Sequence, residues 1–475
     1  MRICMILEGC YPYVRGGVST WMHDYITAMP QHEFVLWVIG AEEKNKGKFL
    51  YELPSNVAEV HEVFLDAAMN MPSGSQGHVR FTASEVEAHS KLLACTNPDW
   101  TVLFRTYNTN KTDVFSFLRS EEFLEFMVNL CRNEYSFVSF AELFHTLRSM
   151  LVPSLYLMRQ KIPEADVYHS TSTGYGGLLG AMAGRLKQRP FIVTEHGIYT
   201  REREEELLRA AWVKPYFKQQ WISLFYMLAR CAYDNAACVT SLFRRAKGIQ
   251  QELGCASFKQ KVIENGIEVA NYIHVPVKRQ DEWIDIGAIV RFHPIKDIKT
   301  MIYSFYELKA HVPNVRLHIM GDVDDEPYRD ECVELIRQLS LEDILIVGNV
   351  ETADYIRRLD FTVLTSISEG QPLSVLESMA AGRPCVTTDV GCCRELLEGT
   401  DMDRFGRAGI CVPPMHSQAI ANAMELLCRR EDLRLEMGEA GRKRIDRGYQ
   451  HEMMVTRYLE NYKEVQLQWR ELGSN

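Results

Sequence analysis

The sequence lacks the cysteine pairs that hold structural zinc. Its 13 cysteines are irregularly spaced, Cys392 and Cys393 are adjacent, and no two cysteines have two residues between them. Structural zinc sites rely on closely paired cysteines. We therefore expect reduced thiols, as in cytosolic proteins, and no zinc site.

Excess positive charge is also missing. The 475 residues include 53 Lys and Arg against 63 Asp and Glu, which gives a formal net charge of −10. A protein that binds nucleic acid generally needs an electropositive surface. The sequence therefore predicts no nucleic-acid partner, although it is compatible with one small basic pocket for a diphosphate.

Long apolar runs are absent as well. The most membrane-like stretch, Trp221 to Ala229, ends at Arg230, far short of the ~20 residues that span a bilayer. The apolar N-terminal run is brief and Glu8 interrupts it, unlike the core of a signal peptide. We expect a cytoplasmic protein, peripheral at the inner membrane only if partners hold it there.

Strand patterns alternate with helix patterns along the chain, which is typical of parallel α/β layers. In the first half, strands are predicted at 2–7, 34–39, 167–170 and 190–194, with a helix from Gly17. In the second half, strands are predicted at 284–290, 315–320, 344–347, 361–364 and 385–388, with helices over 299–311 and from Leu373. The pattern predicts two Rossmann-like domains facing a cleft, because α/β folds bind ligands at strand ends.

The domain boundary is predicted in the segment Asn271 to Gln280, which contains Pro276. The predicted domains are 1–278 and 279–451, followed by a C-terminal helix, 452–475, that packs back on the first domain. Helical patterns at about 65–160 predict a helical insertion in the first domain, with helices around Leu118–Leu130 and Phe140–Leu147. Long insertions are usually functional, so this one could shape an acceptor site or dock a partner, or it could simply cover the sheet.

Two glycines, Gly16 and Gly17, follow the first strand and open the first helix. Glycine lets the backbone approach a ligand closely, and a helix N-terminus presents free N–H groups to an anion. The pair predicts a donor-binding loop, although a tight strand-to-helix turn would use the same residues.

Three candidate catalytic residues follow strands. His196 lies at the carboxyl end of a strand, where open sheets bind ligands, and could contact the transferring sugar. Arg291 and Lys296 follow the first strand of the second domain, where two cations can bind a diphosphate and stabilise its charge as it leaves. The alternative for both cations is a solvated position near a turn.

The segment from Ser366 to Gly382 combines an acidic loop, a glycine and a helix whose first turn suits Pro372. Its predicted buried face is Leu373, Leu376, Met379 and Ala380. Loop N–H groups can meet a sugar or phosphate, and an inner carboxylate can accept hydrogen bonds from ribose hydroxyls. The candidate donor-binding residues here are Glu369, Gly370, Gln371, Pro372, Leu373 and Glu377, and Glu369 is also a candidate catalytic residue.

One pattern points to a different chemistry. Asp322 and Asp324 form an Asp-x-Asp, which can hold a divalent metal and a diphosphate. Asp-rich turns after strands are common, and Arg291 and Lys296 offer a cationic alternative. We therefore predict that no metal cofactor is needed.

These segments together resemble family-four glycosyltransferases, which have a GT-B fold and retain the stereochemistry of the donor sugar. The matching elements are the E-x7-E pair (Glu369 and Glu377), the strand-end histidine (His196), the phosphate-binding cations (Arg291 and Lys296) and the N-G-[IV] element (Asn265-Gly266-Ile267). The family's usual Gly-x-Gly after the third strand stands here as Gly321-Asp322-Val323.

The opening segment, the helical insertion and the segment around His196 are most similar to the PelF subgroup, the cytosolic transferases of Pel exopolysaccharide synthesis. The resemblance implies a UDP-sugar donor, a saccharide acceptor and an inner-membrane polysaccharide synthase complex as partner, with no cofactor besides the co-substrate. Two other functions stay open: a sugar-nucleotide-dependent synthase with a small acceptor, and a catalytically silent UDP-sugar sensor.

Overall fold

The computed structural model describes residues 1–14, 16–69, 80–279, 281–400 and 403–473. Arg15 of the Gly-rich segment, residues 70–79 of the predicted insertion, Gln280 of the predicted boundary and the last two residues lie outside the described residues. The chain forms two compact units. The first unit comprises Met1–Ser241, Lys247–Val262 and Leu459–Asn475, and the second comprises Leu242–Ala246 and Ile263–Tyr458.

Seven parallel strands of the described chain form the sheet of the first unit, in the order β3-β2-β1-β4-β5-β6-β7. They are β1 (Arg2–Glu8), β2 (Glu33–Gly40), β3 (Val57–Phe64), β4 (Val167–Ser170), β5 (Phe191–Glu195), β6 (Cys238–Ser241) and β7 (Gln260–Val262). The four predicted strands are confirmed as β1, β2, β4 and β5. The pattern missed β3, a half-exposed edge strand, and β6 and β7, which are too short for a clear apolar run.

Helices surround this sheet and fill much of the chain between β3 and β4. They are α1 (Gly17–Thr27), α2 (Leu65–Met69), α3 (Ala83–Leu93), α4 (Trp100–Phe104), α5 (Val114–Leu118), α6 (Glu121–Asn133), α7 (Phe140–Met158), α8 (Tyr175–Lys187), α9 (Tyr199–Arg209), α10 (Pro215–Asn235) and α11 (Arg244–Glu252). A π-helical turn, Arg105–Thr109, follows α4. Buried side chains of α3 to α7 share one continuous apolar core with β1, β2 and β4.

The helix predicted around Leu118–Leu130 is in fact two helices. α5 ends at Leu118, and α6 begins after Ser120, whose Oγ accepts a hydrogen bond from the Phe123 N–H at 3.1 Å. A serine cap satisfies one of the free N–H groups at a helix start, so it favours a new helix at this point.

Six parallel strands of the described chain form the sheet of the second unit, in the order β10-β9-β8-β11-β12-β13. They are β8 (Ile284–Ile289), β9 (Val315–Met320), β10 (Ile344–Gly348), β11 (Phe361–Leu364), β12 (Cys385–Thr388) and β13 (Gly409–Val412). The five predicted strands are confirmed as β8 to β12. β13 was missed because it is only four residues long and half of it is partly exposed.

Eight helices of the described chain follow β8. They are α12 (Ile298–His311), α13 (Glu326–Gln338), α14 (Thr352–Tyr355), α15 (Leu373–Ala380), α16 (Cys393–Glu398), α17 (Ser417–Arg429), α18 (Glu431–Gly448) and α19 (His451–Gly473). Among the described residues, no helix combines the length and the apolar character that crossing a membrane would require.

The chain passes between the units at positions that differ from the predicted boundary. Residues 263–278, predicted in the first domain, group with the second unit. α19 starts in the second unit, and its residues from Leu459 onward group with the first. There Tyr462 is buried: its hydroxyl accepts a hydrogen bond from Tyr25 at 2.7 Å and lies 2.6 Å from Nδ1 of His169.

Candidate functional site

The topology of the second sheet brings two loops together at its carboxyl edge. β9 and β11 lie on opposite sides of β8, and the chain continues from β8 to β9. Neighbouring loops diverge at such a switch point, which leaves a crevice where open α/β sheets bind ligands. The loop after β8 carries Lys296, and the loop after β11 carries Glu369.

Lys296 and Glu369 form an ion pair in this crevice. Their Nζ and Oε1 atoms are 2.5 Å apart, and the side chains are only 18% and 11% exposed. Ser366 Oγ donates a second hydrogen bond, of 2.6 Å, to the same carboxylate oxygen. The structure therefore brings two of the predicted catalytic residues into direct contact.

Buried hydroxyl groups fix the two loops to each other. Thr365 Oγ1 donates to the carbonyl groups of Lys296 and Asp297 at 3.0 and 3.1 Å. Thr388 Oγ1, at the end of β12, donates to the Ser366 carbonyl at 2.6 Å. Sequence reasoning missed these residues, although a threonine at or directly after the end of a buried strand is a signal that could have found both.

Arg291 lies after the same strand as Lys296 but has a different partner. Its guanidinium is 43% exposed and pairs with Asp324, and Asn349 Nδ2 donates to Asp322 at 3.2 Å. The two aspartates of the Asp-x-Asp are thus engaged with an arginine and an amide. In the part of the chain that the structure describes, no group of three or more His, Cys, Asp or Glu could hold a metal ion.

Gly321 is the glycine of the Gly-x-Gly pattern that this chain keeps, and the structure requires a glycine at this position. It has a φ of +146°, and a Cβ there would lie 2.2 Å from the Val290 carbonyl oxygen, directly before Arg291. A side chain would push these backbones apart, so this glycine serves the strand end that carries the arginine.

Glu377 lies on the second turn of α15 and is half-buried. Burial raises the pKa of its carboxyl group to about 7, although a hydrogen bond from the Tyr272 hydroxyl lowers the pKa and the negative charge of Glu351 raises it further. Tyr272 is 7% exposed and was not predicted as a site residue. A carboxyl group that titrates near neutrality is typical of functional sites.

The start of α15 differs from the prediction at two positions, Pro372 and Leu373. Gln371 is buried, and its Oε1 accepts a 2.6 Å hydrogen bond from the Asn265 N–H, so its side chain holds the N-G-I element. Pro372 is the N-cap residue and not part of the first turn. Leu373 is only half-buried, and Val375 takes its place in the buried face because α15 packs on α18 as well as on the sheet.

The backbone of Glu369 and Gly370 rests on a turn that sequence reasoning missed. Gly391 follows β12 with a φ of +54°, and a Cβ there would lie 2.4 and 2.3 Å from the carbonyl oxygens of Glu369 and Gly370. Cys392 N–H donates to the Gly370 carbonyl at 3.1 Å. A glycine after a short buried strand was the available signal.

The first unit carries the remaining predicted site residues at the carboxyl edge of its own sheet. Gly16 is the N-cap of α1 with an extended φ of 164°, and a Cβ on Gly17 would meet nothing within 4 Å. Neither internal packing nor backbone strain therefore requires a glycine at position 17, and the space beside it is open.

His196 directly follows β5, and its ring meets the Trp21 ring edge-on with centroids 4.4 Å apart. Its Nε2 is buried without a hydrogen-bond partner, and burial lowers the pKa of the imidazole to about 4. The ring is therefore neutral at physiological pH. Its neighbour Glu195, which was not predicted, is buried and accepts hydrogen bonds from Tyr233 at 2.6 Å and Gln250 at 2.9 Å.

Two family models match the chain one after the other. Residues 1–257 match the model described as domain of unknown function (DUF3492), and residues 273–444 match glycosyl transferases group 1. The first match covers more than half of the chain, so the chain belongs to the DUF3492 family, and the second match gives it a glycosyl transferases group 1 domain. Lys296, Glu369 and Glu377 lie within the second match, and His196 lies within the first.

The chain is similar to bacterial proteins with named activities. It is 24% identical over 239 residues to alpha-monoglucosyldiacylglycerol synthase of Streptococcus pneumoniae, which covers 47% of this chain and 52% of that protein. It is 26% identical over 328 residues to the capsular polysaccharide biosynthesis glycosyltransferase CapM of Staphylococcus aureus, which covers 66% and 79%. The chain thus spans about half the length of the first of these relatives.

A solved structure matches the fold of the chain. HepE of Anabaena, crystallised in complex with UDP, aligns with a TM-score of 0.61 over 98% of this chain and 100% of that chain, at 15% identity. A likeness at this identity concerns the fold alone. It confirms the predicted GT-B class with two Rossmann-like domains.

Proposed function

We propose that this protein transfers a sugar from a UDP-sugar to a saccharide acceptor, with retention at the anomeric carbon and without a metal ion. The observation that carries the proposal is the Lys296–Glu369 pair at the switch point of the second sheet. It supplies a low-exposure cation for a diphosphate and a carboxylate for a sugar on adjoining loops.

The reaction needs stabilisation of a leaving diphosphate. The bond between the anomeric carbon and the β-phosphate oxygen breaks, and its electron pair leaves with UDP. The acceptor oxygen then bonds to the anomeric carbon on the same face, and the released UDP takes up the hydroxyl proton. Lys296 and Arg291 offset the negative charge that develops on the diphosphate, because charged donors in a partly dehydrated site stabilise such charge strongly.

The remaining predicted residues bind the donor. The half-buried Glu377 accepts hydrogen bonds from the ribose hydroxyls, and Glu369 contacts the donor sugar. The backbone N–H groups near Gly370 meet the diphosphate, and those near Gly17 offer an anion-binding position at the edge of the first sheet. The neutral His196 offers an unpaired Nε2 to a hydroxyl group at the edge of the first sheet.

The ion pair also implies a cost that the donor must offset. Lys296 is already neutralised by Glu369, so an incoming diphosphate must share or replace that partner. Replacing one anionic partner by another keeps the ammonium group paired throughout, which avoids leaving a buried charge alone.

For the biological context, we propose polymer synthesis of the Pel type, with an inner-membrane synthase complex as partner. The residue patterns of the PelF subgroup support this assignment, and CapM, a relative by sequence, is named for capsular polysaccharide biosynthesis. The name of the Streptococcus pneumoniae relative keeps a lipid-linked small acceptor as the second candidate.

The test is a donor screen on the purified protein with UDP-, GDP- and ADP-sugars. Thermal shift reports binding, nucleotide release in the presence of oligosaccharide acceptors reports transfer, and NMR of the product reports the anomeric configuration. We expect release from UDP-sugars and an axial product from an axial donor. Release from GDP- or ADP-sugars alone would contradict the donor, inversion would contradict the stereochemistry, and binding without release would favour the sensor.

A further inference from the structure

A groove opens at the amino edge of the first sheet. Its lining includes Gln188 before β5, Ala237 before β6 and Lys259 before β7, together with the end of α19, and every lining residue belongs to the first unit. Because the strands are parallel, residues that precede them meet at the edge opposite the one that carries His196. The groove has a volume of about 620 Å³, which is in the range of cavities that hold small organic ligands. We call it the amino-edge groove.

Two aromatic rings line the amino-edge groove. Phe258 lies in the short 3-10 turn Ser257–Lys259 and is 86% exposed. Trp469 lies on α19, is half-buried, and donates its indole N–H to the Gln188 carbonyl at 3.3 Å. A single exposed aromatic side chain on a protein surface needs no explanation. Two rings on the walls of one cavity provide flat apolar surface where a ligand could lie.

The turn that carries Phe258 is anchored to the end of α10. Lys259 Nζ donates to the carbonyl groups of Tyr233 and Asp234, each at 2.9 Å. These carbonyls belong to the last turn of α10, where a helix leaves its carbonyl groups without partners from its own backbone. The anchor therefore holds the Phe258 ring at the groove, although the protein itself hardly covers the ring.

Three amide side chains, Gln188, Asn235 and Gln468, also line the groove. Asn235 Nδ2 donates to the Cys231 carbonyl at 2.9 Å, and Gln468 Nε2 donates to Glu464 at 3.3 Å, so the amide oxygens of both remain as acceptors. Gln188 ends α8 with a φ of 52°, a conformation in which glycine is the usual residue, so its side chain is kept at a conformational cost. An amide both donates and accepts hydrogen bonds, which suits hydroxyl groups.

The charged side chains of the groove do not favour a charged ligand. Among the lining residues, all of which lie in the described part of the chain, Arg185 and Lys259 are cationic and Asp234 is anionic. Lys259 is engaged with α10, Arg185 Nε donates to Thr101 Oγ1 at 3.1 Å, and Asp234 Oδ2 lies 3.9 Å from Arg230 Nε. A nucleotide or an acidic polymer selects a concentration of positive charge. Aromatic rings and amides with balanced charges instead fit a neutral ligand that has apolar faces and many hydroxyl groups.

We propose that the amino-edge groove is a binding site for a neutral saccharide chain, with sugar rings against Phe258 and Trp469 and sugar hydroxyls on the amides. The site is separate from the place of transfer, because the length of β5, five residues or roughly 16 Å, lies between the two edges of the sheet. The groove would hold a chain while its end is extended elsewhere. That the bound chain is the acceptor polymer rests on the proposed function, whereas saccharide binding itself does not.

The experiment is affinity electrophoresis of the full chain in native gels that contain dextran, laminarin or, as a charged comparison, alginate. Migration against polymer concentration gives a dissociation constant. Wild type is compared with Phe258→Ala, Trp469→Ala and a matched control, Leu467→Ala. Leu467 is 59% exposed on the same helix as Trp469 and does not line the groove. Calorimetry of UDP binding is run on each protein, and circular dichroism establishes that the compared proteins are folded.

We expect at least one neutral polymer to retard wild type and alginate to leave its migration unchanged. Phe258→Ala should weaken the retardation about tenfold, because a sugar that packs on the ring loses the apolar surface it covers. Leu467→Ala should behave as wild type, and UDP affinity should be equal in all four proteins. The inference is overturned if neither neutral polymer retards wild type, if alginate retards it more strongly, or if folded Phe258→Ala is retarded as wild type is.

Failure of the inference differs from failure of the proposed function. If wild type binds UDP but no neutral polymer retards it, the inference fails and the proposed function stands. If wild type does not bind UDP, but a neutral polymer retards it and Phe258→Ala abolishes that effect, the proposed function fails and the groove remains a saccharide site. If folded Phe258→Ala loses UDP binding as well, the two sites are not separate and the inference is overturned.

Discussion

Replacing Lys296 with methionine is the sharpest test of the candidate site, because it removes a charge while keeping the length of the side chain. Lys296 is 18% exposed, whereas Arg291 is 43% exposed. A contact to developing charge is stronger where water is excluded. We therefore expect Lys296→Met to lower kcat/KM by about 10²- to 10³-fold, or roughly 3–4 kcal/mol, and Arg291→Met to cost distinctly less.

The same substitution has a second effect that the assay must separate. Without Lys296, the Glu369 carboxylate, which is 11% exposed in the wild type, keeps the hydrogen bond from Ser366 but loses its counter-charge. An unpaired charge of this kind can cost a few kcal/mol of folding free energy. The double variant Lys296→Met/Glu369→Gln removes both charges, so it should recover stability but not activity.

Lys299→Met is the matched control. Lys299 lies one turn further along, on α12, and pairs with Glu331 at 2.5 Å on the exposed surface. It should leave nucleotide release from UDP-sugar near wild type, because exposed pairs contribute little. If Lys296→Met is folded and turns over within about threefold of the Lys299→Met rate, the assignment of Lys296 to the diphosphate is refuted.

Three further predictions follow from the same geometry. UDP should bind with unchanged affinity in excess chelator, as measured by calorimetry, and loss of binding would point to a metal at Asp322. Glu377→Ala should mainly raise the donor KM, because a ribose contact is made equally in ground and transition states, while Glu369→Ala should mainly lower kcat. The reverse pattern in steady-state kinetics would mean that the roles of the two residues are exchanged. Asp285→Asn should lower the free energy of unfolding by about 3 kcal/mol at neutral pH. Burial alone would raise the pKa of Asp285, but hydrogen bonds from His318, Arg316 and Lys278 bring this pKa well below its usual range. The stabilisation from the ionised Asp285 is present above the pKa of the unfolded state, about 4, and declines as the pH falls below that value. A difference in free energy of unfolding between wild type and variant, measured in urea, that stays constant from about pH 5 to about pH 3 would contradict this prediction.

The fold was predictable where the sequence pattern of a strand agrees with its burial in the folded sheet. Strands β8, β9, β11 and β12 are largely buried and rich in apolar residues, and they and the partly exposed β10 were each located to within one residue at either end. β3 was missed because it lies at the edge of its sheet and only its last two residues are buried. β7 and β13 are short and at least half of each is only partly buried, so they carry too little pattern to be distinguished from loops.

The candidate site was predictable as residue types but not as contacts. The cations and carboxylates were found because they follow buried strands, yet nothing in the sequence shows that Lys296 pairs with Glu369 and Arg291 with Asp324. Tyr272 and Gly391 were missed for the same reason. Their roles depend on backbone segments that meet only after folding, at separations of 105 and about 20 residues from Glu377 and Gly370.

The path of α19 bears on how the molecule can be divided. Because this helix starts in the second unit and ends in the first, each unit is assembled from separate stretches of sequence. A fragment that stops before α19 would lack the Tyr462 hydroxyl that meets Tyr25 and His169 in the core of the first unit. Expression of residues 1–262 alone would remove Tyr462 from this core, so the first unit should be produced with residues 459–473 joined back by a linker. The last helix, distant in sequence from every predicted site residue, is thus part of what the first sheet needs in order to fold.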